Sequence, residues 1–498
     1  MKPAPEQPQG QLVIPTPSQA SRFSRMAKAG KAMRLAPGLY AVGATLAPEQ
    51  VARQHLNAIV ARSWPSGVLC GRTALAGGQP IDGAVYVAHP DPPRRTPLRL
   101  PGYEIVPVVG PAPLPGDMGW PEGLSISGPA RALVENVDLR GRPARFRAGT
   151  PTVEDKVDEH ARTGGAGHVQ RLLDQLDVIG GSFDPAAVTA VRNALRAVLG
   201  SFSGGAAPTS ERLAARLAGT PFDAHRVDMV EQLAAVLDDR APTPRSVVDP
   251  ASRWEWLPFF EAYFSNFIEG TQFGVDEARD IALDGVVPAD RPDDAHDVAA
   301  TFRLAADRDD RIRVPTSGLE LVDILRDRHR ILMAARVDKR PGMLKTTPNY
   351  AGGYQFVVPE LVEGTLRRGF ESLDRLDDPF ARAVAMMLLV TECHPFDDGN
   401  GRVARLAVNA ELSVAGQVRV LIPIVYRNNY VAALSGVSRG AGRGESLVAV
   451  LDFAQRWVAA VDWTTFEGAT ATLTECNAYL DPGVADMNQQ RLTLPPRF

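Results

Sequence analysis

Cysteine is scarce in this chain. Cys70, Cys393 and Cys476 are the three present among 498 residues. Their spacing fits neither a disulfide framework nor a metal-ligand cluster, which points to a reducing compartment. No apolar run is long enough to span a bilayer. The first residues are rich in Pro and Gln rather than charged and then apolar, so neither a membrane partner nor a signal peptide is expected, and the chain reads as cytoplasmic. Strong charge bias is missing too. With 54 Lys and Arg against 58 Asp and Glu, the net charge of −4 carries no argument about nucleic acid. No clear internal repeat is visible. What is present is ample apolar content, 45 % of residues, enough for about two to four domains with real cores.

The chemistry concentrates in one loop, Glu392-Cys393-His394-Pro395-Phe396-Asp397-Asp398-Gly399-Asn400-Gly401-Arg402-Val403-Ala404-Arg405. Phe380 to Val390 is nearly all apolar and reads as a buried helix. Pro395 biases His394 out of helical geometry, so that helix should stop near Cys393 and leave the imidazole at its mouth. Arg402 to Val414 reads as a second helix, with Gly399 and Gly401 at its start. A glycine-rich turn running into a helix N-terminus is an anion site, because its amides are free and the dipole favours negative charge. Arg402 and Arg405 lie three apart on one face and could both reach phosphate oxygens. Asp398 is a hard carboxylate beside them, the kind of ligand magnesium takes. His394 is the proton acceptor suited to neutral pH. Phe396 should point inward and pin the loop. Cys393 reads as helix packing.

His-x-Phe-x-Asp-Gly-Asn-Gly-Arg-x-x-Arg at 394–405 resembles the signature of the Fic (filamentation induced by cAMP) family. The resemblance implies a mainly α fold, a Fic-type helical bundle with a β-hairpin flap. It implies transfer of AMP from ATP to a hydroxyl side chain of a target protein. By the same resemblance His394 is the general base, Asp398 holds Mg2+, and Gly399, Asn400 and Gly401 form the anion hole. Arg402 then stabilises the transferring phosphates, and Arg405 binds the terminal phosphate. Ser265-Asn266-Phe267-Ile268-Glu269-Gly270 closes an apolar run that starts at Trp254. It resembles the Fic inhibitory motif, with Ser265, Glu269 and Gly270 at its defining positions and Glu269 competing with ATP for Arg405 as a buried carboxylate. Residues 342–358, turn-rich at Pro348, Asn349, Gly352 and Gly353, read as a hairpin between two strand-like runs. The resemblance makes it a flap that docks the target by strand addition. Tyr430, in a segment opening a further helix, is either a nucleotide contact or a buried tyrosine.

The remaining expectations are architectural. Residues 1–20 read as a disordered tail, 21–145 as a smaller α+β winged-helix-like regulatory domain, and 146–250 as a helical connector without chemistry. Residues 251–465 are the Fic catalytic domain, with its inhibitory helix over 254–270, and 466–498 a C-terminal tail, extended and loosely held from about Asp481. Arg22, Arg25, Lys28, Lys31 and Arg34 make a basic stripe with no acid among them. It fits a solvated face or a DNA contact through 22–34. The order of elements in this N-terminal part resembles the abortive-infection antitoxin/regulator family, whose winged helix binds DNA. Alternative readings are therefore a DNA-binding regulator carrying a Fic domain, or a Fic enzyme that removes AMP or transfers UMP, phosphate or phosphocholine. Inhibition through a homo-oligomer also stays open.

Overall fold

A computed structural model describes residues 10–138, 144–201, 207–248 and 250–495. The chain divides into two compact units, up to Ala218 and from Gly219 onward. Among the described residues no helix is long and apolar enough to cross a membrane.

The first unit is α+β. Strands β1 (Gln11–Val13), β2 (Met33–Ala36) and β3 (Leu39–Val42) form an antiparallel sheet in the order β1-β3-β2. Helix α1 (Ala20–Lys28) lies between β1 and β2 and has no buried residue. The tail expected over 1–20 is therefore structured from Gln11, because Leu12 and Val13 pair with Ala41 and Tyr40; residues 1–9 lie outside the described residues. A six-stranded mixed sheet follows, in the order β6-β7-β5-β4-β9-β8: β4 (Val68–Leu69), β5 (Ala84–His89), β6 (Leu98–Leu100), β7 (Tyr103–Val109), β8 (Met118–Trp120) and β9 (Leu124–Ile126). Its central strands are buried on both faces, as the near-continuous Ala84–Ala88 run requires.

The connector expected over 146–250 is not one element. Helix α2 (Thr150–Ile179) and the helices 185–198 and 211–217 share a core around Leu172, Leu176, Val191 and Leu195 in the first unit. Helix α3 (Ala224–Asp238) belongs to the second unit, where Val230, Leu233 and Leu237 pack into its core.

The second unit is a helical bundle. Its principal helices are α4 (Leu257–Ile268), α5 (Pro292–Ala306), α6 (Gly318–Leu332), α7 (Val362–Leu373), α8 (Pro379–Cys393), α9 (Asn400–Val414) and α10 (Arg427–Ser438). Helix α8 is the axis. Asp378 caps its start by accepting from the Phe380 amide, Pro379 presets its first turn, and almost every later side chain is buried. It ends at Cys393 because His394 turns left-handed, φ 46° and ψ 60°, ahead of Pro395. A second core is aromatic. Phe260 of α4 meets Trp463 and Phe466 at ring-centre distances of 5.5 and 5.9 Å. The C-terminal tail completes that core, including the part from Asp481 onward expected to be loosely held. Phe466–Glu475 and Pro482–Met487 are helices, and Leu473, Cys476, Ala485 and Leu492 are buried against it. The hairpin is smaller than the sequence suggests: β10 (Tyr350–Ala351) and β11 (Tyr354–Gln355) joined by Gly352 and Gly353 at φ 53° and 81°. Two successive positive φ values are what a tight hairpin turn demands.

Candidate active site

A cavity of about 350 Å³ opens where α8 hands over to α9. His394, Asp397, Asp398, Asn400, Gly401 and Arg405 line it from the catalytic loop, Glu269 from the end of α4, Tyr354 and Phe356 from the hairpin, and Tyr430 from α10.

His394 sits part-buried in the wall. Its Nδ1 lies 3.2 Å from the Thr391 carbonyl. A carbonyl only accepts, so a neutral ring carries its proton on Nδ1 and leaves Nε2 as the free acceptor. Phe356 stacks on the ring, 3.8 Å between centres and 7° between planes. Burial pushes the imidazole down to about 4, with the Lys345 ammonium acting in the same direction against the Thr391 carbonyl. The ring is therefore neutral at pH 7.

Gly399, φ 73°, opens α9. A side chain there would meet the Met333 sulfur at 2.9 Å, so both its conformation and its surroundings require glycine. The Asn400, Gly401 and Arg402 amides stand in the first turn of the helix, where backbone donors have no intrahelical acceptor. Asn400 braces the loop. Its Oδ1 accepts from the Phe396 amide and its Nδ2 donates to the Phe396 carbonyl. Phe396 is fully buried, as expected. Asp397 is engaged by Arg340 in a two-pronged pair at 2.8 and 2.9 Å, whereas Asp398 is exposed at the cavity wall. Among the described residues no three His, Cys, Asp or Glu side chains converge on a metal position.

The segment 265–270 reaches this loop. Arg405 donates from Nε to Ser265 Oγ at 2.9 Å and from Nη2 to the Ser265 carbonyl at 2.8 Å and Glu269 Oε1 at 2.7 Å. Burial opposes the charge on Arg405, but Glu269 and Tyr430 outweigh it and raise its pKa. Glu269 itself is not buried as the sequence suggested. Helix α4 ends at Ile268, Gly270 follows at φ 97°, and the Glu269 side chain is 32 % exposed at the cavity. A Cβ on Gly401 would lie 2.1 Å from Glu269 Oε1, so that carboxylate rests directly on the first turn of α9. Tyr430 is buried below it, with its hydroxyl 3.1 Å from the Met387 sulfur.

Arg402 departs from the expected placement. Its side chain is 3 % exposed, is absent from the cavity lining, and pairs with Asp297 at 2.6 Å. The structure also adds residues that the sequence reading passed over. His329 is fully buried and stacked on Phe396 at 3.8 Å. It accepts from the Gly342 amide at Nδ1 and so donates from Nε2 to the Asp398 carbonyl. Buried Lys345, pushed down to about 8 by desolvation, bonds Asn349 Oδ1 and the Cys393 carbonyl. Glu392 accepts from Tyr354 Oη and Ser438 Oγ and faces Arg226 of α3 at 3.0 Å. In the sequence His329 is a lone histidine in a charged stretch, Asp327-Arg328-His329-Arg330, which by itself points nowhere. Cys393 is fully buried and burial pushes its thiol up, so it packs rather than attacks.

Residues 319–412 match the Fic/DOC family, wholly within the second unit. The chain is 29 % identical over 198 residues to protein adenylyltransferase fic-1 of Caenorhabditis elegans, 36 % of this chain and 37 % of that protein. It is 31 % identical over 126 residues to protein adenylyltransferase fic-1 of Caenorhabditis briggsae, covering 24 % of each. It therefore spans well under half the length of these curated relatives. Among solved structures, Fic-1 (residues 134–508) from C. elegans aligns over 70 % of this chain and 91 % of that one, at 18 % identity and a TM-score of 0.34. A Fic-domain signaling protein from Bacteroides thetaiotaomicron aligns over 49 % of this chain and 97 % of that one, at 19 % identity and a TM-score of 0.38.

Proposed function

From a chain that carries a Fic domain within its second unit, we propose a protein adenylyltransferase that moves AMP from ATP to a hydroxyl side chain and is restrained by Glu269. The observation that carries this reading is the contact of His394 Nδ1 with the Thr391 carbonyl. That contact anchors Nδ1, so Nε2 is the acceptor at a cavity that also holds an anion-binding helix start. In the reaction, His394 Nε2 takes the proton of the target hydroxyl. The hydroxyl oxygen forms a bond to the α-phosphorus while the bond to the pyrophosphate oxygen breaks. The Asn400 and Gly401 amides and Arg405 hold the phosphate oxygens during that exchange. Asp398 is the residue suited to hold Mg2+, which when bound offsets phosphate charge. The hairpin within 342–358 offers an edge on which a target backbone could pair beside His394.

Glu269 competes for the same ground. Its carboxylate occupies Arg405 and the backbone of Gly401, where a terminal phosphate would sit. Intact-mass measurement of the full chain and a Glu269→Gly form, incubated with ATP and magnesium, tests the reading. Addition of AMP by Glu269→Gly, absent with His394→Ala, is expected. A different mass increment would assign another transferred group, and no increment on self or added proteins would overturn the proposal.

A second function is favoured by a separate observation in the first unit. Arg22, Arg25, Lys28, Lys31 and Arg34 are all exposed, and residues 10–48 contain no acid. This supports a DNA contact through 22–34. Retention on duplex DNA should then fall steeply with salt and vanish when Arg22, Arg25 and Lys28 become Glu.

A further inference from the structure

The two arginines of the catalytic loop are held by different carboxylates. Arg405 takes Glu269, while Arg402 takes Asp297 of α5, with Nη1 2.6 Å from Oδ2 and side chains 3 % and 1 % exposed. Helix α4 contributes to both. Ser265 bonds Arg405, and its neighbour Asn266 presents Oδ1 to Arg402 Nη1 at 3.4 Å while donating to Thr301 of α5.

Three features separate the Arg402–Asp297 pair from an ordinary buried ion pair. Asp297 is shared, since Arg336 places Nε and Nη2 on the same Oδ2 at 3.0 and 2.9 Å and also bonds Asp294 at 2.7 Å. The pair is incompletely satisfied, because Asp297 Oδ1 and Arg402 Nε are buried without a hydrogen-bond partner. The guanidinium is also turned away from the cavity that its helix opens into. Breaking a buried pair is costly because it strands a charge. Here Asp297 would keep Arg336, so Arg402 can leave at reduced cost.

We propose that Asp297 is a positioning residue for Arg402, withholding that guanidinium from bound phosphates as Glu269 withholds Arg405, and releasing it when a nucleotide binds. The proposal rests on the reading of the cavity as a nucleotide site. Loss of Glu269 then frees only one of the two arginines. Asp297→Asn keeps the shape, removes the charge, and leaves Arg336 its bond to Asp294.

The test is calorimetric titration of the full chain with magnesium-ATP in four forms: unaltered, Glu269→Gly, Asp297→Asn and the double variant. One regained charge-assisted contact predicts about tenfold tighter binding by the double variant than by Glu269→Gly. That gain should disappear when Arg402→Ala is added, which a general loosening of the fold would not produce. Equal or weaker binding by the double variant overturns the proposal. If Glu269→Gly itself binds no nucleotide, the nucleotide reading fails first and the proposal with it. Should thermal melting show that Asp297→Asn does not fold, Asn266→Ala in the Glu269→Gly form takes its place. It removes the α4 share of the same hold, so tighter binding is again expected and unchanged affinity is the refuting result.

Discussion

Phe356 lies face to face on His394, 3.8 Å between ring centres. The hairpin and the imidazole are thereby one packed object. The same hairpin is tied to α8 through Tyr354 and Glu392, and to α3 through Arg226, which donates to the Gln355 carbonyl at 2.8 Å. The hairpin proposed to dock a target is thus registered against the imidazole by stacking, hydrogen bonding and charge together.

Removing Glu269 should release Arg405 while sparing the fold. The Ser265 hydroxyl and carbonyl still bond the guanidinium in Glu269→Gly, so it keeps hydrogen-bond partners. We expect AMP incorporation, read by intact mass against time, to rise about tenfold or more, the equivalent of ~1.4 kcal/mol of competition removed. An unchanged rate would remove Glu269 from any restraining role.

The pH profile should report the setting of His394. Burial holds the imidazole near a pKa of about 4, below its ordinary 6.5. In the proposed mechanism the neutral ring is the base, so the rate should be lost as pH falls through the folded value. In the Glu269→Gly form, single-turnover rates should stay nearly flat from pH 7 to 5 and fall steeply only toward pH 4. A midpoint near 6.5 would mean a solvated ring.

The catalytic loop was legible because its donors, base and carboxylate are contiguous and its turn is dictated by Gly399 and Pro395. Its partners were not legible for the same reason inverted. Asp297 stands 105 positions before Arg402, on a helix whose pattern encodes only burial, so nothing local announces that it turns the arginine inward. Arg226 lies in a stretch that read as connector, yet it packs on Tyr354 and faces Glu392. The stretch beyond about Asp481 reads as loose because its apolar residues, Val484, Ala485, Met487, Leu492 and Leu494 among them, are separated by polar and Pro/Gly positions. Their worth depends on an aromatic core supplied by α4 and by Trp457 and Trp463.

His329 should leave a signature in the pH dependence of stability. It is fully buried and neutral, pushed by burial to about 4. Between 6.5 and 4 the unfolded chain binds a proton that the folded one refuses. Stability therefore falls as pH drops through that window, by up to ~3 kcal/mol from this residue. His329→Phe keeps the stack on Phe396 but cannot take the proton. Urea unfolding at pH 7, 6, 5 and 4 should give a shallower acid slope for the variant. At pH 7 it should be less stable by ~1–3 kcal/mol, because the Gly342 amide and the Asp398 carbonyl lose their partner. Parallel slopes would mean that this ring does not titrate as its burial implies.

Glu392 offers a way to separate nucleotide binding from target docking. Its side chain is 3 % exposed and is the anion for Arg226, itself 11 % exposed. Glu392→Gln preserves the shape and an acceptor for Tyr354, but leaves the guanidinium buried without a counter-charge. That should cost ~3–5 kcal/mol and lower the melting temperature by several degrees. The loss is local to the hairpin, since Arg226 also holds the Gln355 carbonyl. Amide exchange over 350–355 should therefore accelerate in the variant, while exchange in α9 stays protected. In a Glu269→Gly form, magnesium-ATP affinity should stay within about threefold, because no phosphate contact is removed. Transfer to an added protein should drop more than that, because the docking edge is no longer held against His394. If exchange over 350–355 is unaltered while transfer falls, Glu392 acts on the nucleotide side of the cavity instead of clamping the hairpin.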